Sequence, residues 1–135
     1  MNIPPPLQSK AAGLKDGERF VAVAGADGAR SFELSLHDAV MHWERFPATD
    51  SGSWSLGKTT LPAAHAQEFA ALFEDAFNHA PSAGTGTQEV SLLKRKGQAV
   101  EYRSFRVLGG LPEASSPAPQ RLLYQCSNQI AAWSN

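Results

Sequence analysis

One run of residues has the types and spacing to hold a phosphate. Gly52-Ser53-Trp54-Ser55-Leu56-Gly57-Lys58-Thr59 fits the pattern G-x-x-x-x-G-K-[ST]. In that pattern glycines let consecutive backbone N–H groups cradle phosphate oxygens, the lysine reaches the β/γ oxygens, and the hydroxyl holds Mg²⁺. Lys58 would then be the phosphate contact and Thr59 the magnesium ligand. The chemistry also requires a buried strand just upstream and a helix that starts at the Lys-Thr pair itself. The upstream stretch HWERFPATDS is polar, and Pro62 sets the first helical turn after the motif rather than at it. No apolar strand ending in Asp follows to supply a second magnesium ligand. The expectation is a polar β-edge running into a helix, with Gly57 at a bend or bulge. Nucleotide binding is kept as the second alternative.

Metal and nucleophilic chemistry find less. The histidines stand at 37, 42, 65 and 79. His37 and His42, on a helix, would point about 140° apart and could not share one ion. His65 and Glu68 share a helical face without a third ligand, and HExxH and CxxC are absent. Cys126 is the single cysteine, flanked by Leu122, Leu123 and Tyr124, and reads as a small core residue. It excludes an intrachain disulfide, so a reducing, cytoplasmic setting is expected. Glu74 and Asp75, adjacent on a helix, diverge by about 100° and form no carboxylate dyad. No catalytic residue, metal site or cofactor is expected.

The remaining chemistry is cationic. Lys94, Arg95 and Lys96 precede Gly97 between two β-prone runs, 88–93 and 98–107, which reads as the tip of a hairpin. Arg103 and Arg106 follow on the returning strand, where Tyr102 shares a face with Arg106 and Arg103 with Phe105. Cations interleaved with aromatics suit a surface that tracks an anionic backbone or grips acidic side chains. Lys94, Arg95, Lys96, Tyr102, Arg103 and Arg106 are therefore the candidate contact residues. The expected function is a small non-enzymatic interaction module with an acidic or anionic partner, in the first instance another protein. Single-stranded nucleic acid is the first alternative. The stretch 57–77, GKTTLPAAHAQEFAALFEDAF, resembles the strand-into-helix junction of PUR-type single-stranded nucleic-acid-binding repeats, through its Thr-x-Leu-Pro and its Phe/Leu spacing. That resemblance implies curved strands leading into one amphipathic helix, and a single-stranded nucleic acid as partner.

The elements that must position these residues are legible in part. In 61–80, Phe69, Leu72, Phe73, Ala76, Phe77 and Ala80 recur at three- and four-residue spacing, one apolar helical stripe between Pro62 and Pro81. Residues 20–24 (FVAVA) and 30–34 (RSFEL), joined by Gly-Ala-Asp-Gly, read as a hairpin. Leu36, Ala39, Val40, Trp43 and Phe46 fit a second helical stripe with Ser35 as N-cap. Trp54, Leu56 and Thr60 suggest a strand entering the main helix. In the last segment, 121–126 is expected as a strand pairing with 98–107, although Leu122, Cys126, Ile130 and Trp133 also fit a helix. Residues 1–15, with three consecutive prolines, are expected as a flexible tail, and 109–119 as a mobile loop.

A chain of 135 residues with 42% hydrophobic and 19% charged content fits one globular domain, here 16–135. No apolar run reaches the ~20 residues that span a bilayer, so no membrane partner is expected. The net charge of −1 is uneven: 1–86 carry six Lys/Arg against ten Asp/Glu, and 87–135 six against three. The fold class expected is α+β, an antiparallel-rich sheet with two amphipathic helices on one face, in the order β-β-α-β-α-β-β-β.

Overall fold

The computed structural model describes residues 3–25, 29–46, 55–78, 86–107 and 116–134. In chain order the elements are α1 (Pro5–Gly13), β1 (Arg19–Gly25), β2 (Arg30–His37), β3 (Val40–Arg45), β4 (Ser55–Thr60), α2 (Ala63–Phe77), β5 (Gln88–Lys96), β6 (Ala99–Val107) and α3 (Ala118–Ser134). The strands make one six-stranded sheet in the order β4-β3-β2-β1-β5-β6, with every neighbouring pair antiparallel. The α+β class and the antiparallel sheet are as the sequence implies; of the two helices expected on one face α2 is found there, joined by α3.

Registers divide the sheet into two faces. Val21 lies opposite Leu34 and Leu92, and Val23 opposite Phe32 and Val90. These residues join Met41, Trp43, Phe105 and Val107 in one core with Phe69, Phe73, Ala76 and Phe77 of α2 and Leu122, Leu123 and Cys126 of α3. Phe20 and Leu93, each one residue out of phase with that set, face the other way. They are buried with Leu7, Ala11 and Leu14, so α1 covers that side of β1 and β5. The centre of the sheet is therefore apolar on both faces, whereas β2–β4 carry mainly polar residues on the α1 side.

Three expectations need correction. The tail expected over 1–15 contains α1. Prolines occupy its first positions, where a helix needs no N–H donors, and Leu7, Ala11 and Leu14 supply the buried stripe. The helix expected over 36–46 is the end of β2, a two-residue turn and β3. Asp38 and Ala39 both take positive φ, 50° and 66°, and close His37 against Val40, the geometry whose twist matches a hairpin. Leu36, Met41 and Trp43 then alternate onto the α2 face, so the apolar set satisfies a period of two once a turn is placed inside it. The strand expected over 121–126 is the first half of α3, since its Leu122–Cys126 spacing faces α2 and the sheet. Consequently β6, expected to have a partner strand there, is the last strand of the sheet among the described residues. The expected mobile loop lies, from 109 to 115, outside the described residues; α3 begins at Ala118.

Phe73 is fully buried and its ring stacks on Phe77 at 6.0 Å. Phe73→Ala should lower the unfolding free energy by roughly 3–5 kcal/mol in urea denaturation, since the surroundings cannot collapse into so large a void. At the β2–β3 turn, Ala39 sits in a backbone region where its Cβ is crowded. Ala39→Gly should raise stability by roughly 1 kcal/mol, measured the same way, and a loss of stability would contradict that strain.

Candidate functional site

The β5–β6 hairpin forms, but with a tighter tip than expected: Lys94, Arg95 and Lys96 belong to β5, Lys96 stands opposite Ala99, and Gly97, at φ 63°, opens a two-residue turn. Its cations, however, do different jobs on opposite sides. Lys94 points toward α2, where its Nζ donates to Glu74 Oε1 at 2.9 Å and lies 4.4 Å from the Phe77 ring centre. Glu74 Oε2 also accepts from Arg19 Nε of β1 at 3.3 Å, so one carboxylate of α2 ties down two strands. Arg103, on the same face, holds its guanidinium 5.6 Å from the Phe77 ring centre and stays exposed.

Arg95 points to the α1 side. Its Nη1 donates to Leu14 O at 2.7 Å and its Nε to Gly97 O at 2.8 Å. The backbone joins in: Gly17 N donates to Arg95 O at 2.9 Å, Arg95 N to Glu18 O at 3.2 Å, and Gly97 N to Asp16 Oδ1 at 2.7 Å. The tip is thus fastened to the segment between α1 and β1. Tyr102 packs half-buried against the Phe20–Leu93 cluster, and Arg106 reaches Glu89 at a loose 3.9 Å. The structure brings Arg95, Tyr102 and Arg106 to one face and Lys94 and Arg103 to the other. Lys96, Arg103 and Arg106 remain exposed to solvent, and Lys94 and Arg95 are committed internally.

The other candidate residues resolve more simply. Gly57, Lys58 and Thr59 lie within β4, in ladder register with Trp43, His42 and Met41. A Cβ on Gly57 would stand 2.5 Å from the Trp43 ring, so this glycine permits a strand to cross an indole. Extended strand backbone does not present the successive N–H groups of a phosphate loop, and α2 begins only at Ala63. His37 and His42 occupy adjacent strands rather than one helix, and among the described residues no three His, Cys, Asp or Glu side chains converge on a metal position. Cys126 is fully buried, and burial pushes its thiol far above the ordinary range, so it is no nucleophile.

Sequence reasoning missed two acids. From the sequence Glu74 reads only as the neighbour of Asp75; its role depends on α2 lying over β1 and β5, which no local pattern announces. Glu33 stands between two hollows beside α1, of about 180 and 190 Å³, and borders both. Burial raises its pKa, partly offset by the charges of Lys10 and Arg30, while Glu44 adds to the rise. Glu33 alternates with the buried Phe32 and Leu34 and so faces away from the core, but no local pattern shows that α1 lies beside it.

Glu74 moves the opposite way. Burial pushes its carboxyl up, but hydrogen bonds and charge from Lys94, then Arg19, outweigh this and hold it below 4.5. A depressed carboxyl stabilises the fold above its ordinary value and loses that contribution as pH falls through the folded value. Glu74→Gln should therefore cost about 1 kcal/mol at pH 7, the screened worth of part-exposed pairs, and the deficit should fade as pH drops below 4.5. Urea melts of both proteins at several pH values measure this; a constant deficit would remove the ion pairs from the account.

Among the described residues, no helix is long and apolar enough to cross a membrane. Comparison with models of known protein families finds no match, and comparison with curated proteins finds none similar enough to count as a relative.

Proposed function

We propose that this chain is a small non-enzymatic binding module whose basic β5–β6 hairpin contacts an acidic or anionic partner, in the first instance another protein. The observation that carries the reading is the division of labour among the hairpin cations. Lys94 and Arg95 anchor the hairpin to α2 and to the α1–β1 connection, leaving Lys96, Arg103 and Arg106 exposed on a held frame. A preorganised cationic projection loses less conformational freedom on binding than three cations on a floppy loop. The contact residues proposed are thus Lys96 and Arg103 on the α2 face and Arg106 with Tyr102 on the α1 face, and Lys94 and Arg95 act by positioning. A cytoplasmic location accords with the single cysteine.

The test is titration of the protein with an Asp/Glu-rich peptide and, in parallel, a single-stranded oligonucleotide, each at two salt concentrations. Lys96→Glu combined with Arg106→Glu should weaken binding of the acidic peptide by about tenfold or more and reduce its salt dependence, with little change in melting temperature. Arg121→Glu, on α3 and bonded to Ser116 O, is the control and should have less effect. Oligonucleotide binding that outcompetes the peptide, with a log–log salt slope reduced by roughly 0.7 per lost contact, would turn the reading to nucleic acid. No salt-dependent binding to either would overturn it.

A further inference from the structure

Along β1, the side chains turned toward α1 change from large to small. Phe20 packs with Leu7, Ala11 and Leu14, whereas Ala22 and Ala24, next on the same face, fill little space. Between these alanines and Pro4, Pro6 and Leu7 at the start of α1 lies a hollow of about 180 Å³. Apolar cavities of ~150 Å³ take up a benzene ring, so this one has room for a single ring and a short substituent.

Its polar groups are few and unevenly employed. Ala22 stands opposite Glu33 on one side and Ser91 on the other, so the three form one row across the sheet. Only a methyl group separates the carboxylate from the hydroxyl. Ser91 is 7% exposed, borders the hollow and makes no side-chain hydrogen bond among the described residues. Glu33 makes none either: Arg30 Nη1 is 3.9 Å from its Oε2, and Lys10 acts on it through charge alone. The remaining charges are engaged elsewhere. Arg30 lies 4.1 Å from the Phe46 ring centre, and Glu89 accepts from Ser104 Oγ at 3.3 Å beside Arg106. A half-buried carboxylate without a bonded donor is costly, and burial accordingly dominates the rise in its pKa. A ligand N–H supplies the missing donor, and a lining with two carboxylates to one guanidinium favours a cation.

The geometry points to a binding site for a small organic cation, a primary ammonium carried on a single apolar ring. The ring lies on Ala22 and Ala24 beneath Pro4, Pro6 and Leu7, and the ammonium donates to the Glu33 carboxylate and to Ser91 Oγ. This site goes beyond the hairpin's anionic partner and does not depend on it, since Lys96 stands at the far end of β5 from Glu89.

Benzylamine, cationic at neutral pH, is the probe. Titrated into the isotope-labelled full chain, it should bind saturably with a Kd on the order of 1 mM, moving the amide resonances of Ala22, Glu33 and Ser91 most. Benzyl alcohol, of the same shape without the charge, should bind about tenfold more weakly. Glu33→Gln, isosteric with the wild type, should bring benzylamine down to the affinity of benzyl alcohol, and Ser91→Ala should weaken it by about threefold. Ala22→Leu, which fills the floor, should abolish binding of both; Ala24→Leu serves the same purpose if melting curves show the first variant unfolded. Lys96→Glu should bind benzylamine as the wild type does, whether or not the hairpin contacts an acidic partner. Absence of saturable benzylamine binding to the wild type overturns the inference. So does a Glu33→Gln variant that still prefers the amine to the alcohol, or a folded alanine-to-leucine variant that binds unchanged.

Discussion

β1 and β5 lie side by side in the sheet and are apolar on both faces, and this requirement shapes most of the molecule. Phe20, Val21, Leu92 and Leu93 are consecutive pairs along their strands, yet all four are at most 1% exposed. A strand with one wet face would alternate; these cannot, so each face needs its own cover. The larger cover, α2 with α3, supplies the phenylalanine stripe. The smaller, α1, is only nine residues long and has a single row of apolar side chains. Helices this short are marginal alone, so α1 is held by what it covers.

Because the two covers differ in size, the sheet is asymmetric across its width. At β1 and β5, α1 covers Phe20 and Leu93 on one face, and on the other Glu74 brings Arg19 and Lys94 under α2. On the β2–β4 side, the α1 face stays polar and hollowed, with Glu33 at its centre.

Patterns confined to one element were legible in the sequence. The β-prone run 30–34, the hairpin signal of Gly97 between two β-prone runs and the spacing from Phe69 to Phe77 each lead to the observed element. Failure came where two periods fitted the same residues. Leu36, Val40 and Trp43 suit a helix until a turn is inserted at Asp38–Ala39, and neither residue is the glycine that usually marks such a turn. Leu122, Leu123 and Cys126 suit a strand or a helix, and the choice is settled by α2, far away in sequence. For the candidate site, the positions of the cations were readable but their employment was not. Whether Lys94 is a contact or an anchor depends on Glu74, twenty residues earlier, and Arg95 depends on Leu14, eighty-one residues earlier.

The fastening of the hairpin tip to the α1–β1 connection links the motions of two segments far apart in the chain. Leu14 O and Asp16 Oδ1 can hold Arg95 and Gly97 only while the end of α1 is docked, and the same docking buries Phe20 and Leu93. Undocking α1 therefore wets two large side chains and loosens the Leu14 tether at once, while the backbone bonds of Arg95 with Gly17 and Glu18 still hold the tip. Local opening at α1 is thus felt at the hairpin tip, far away in sequence.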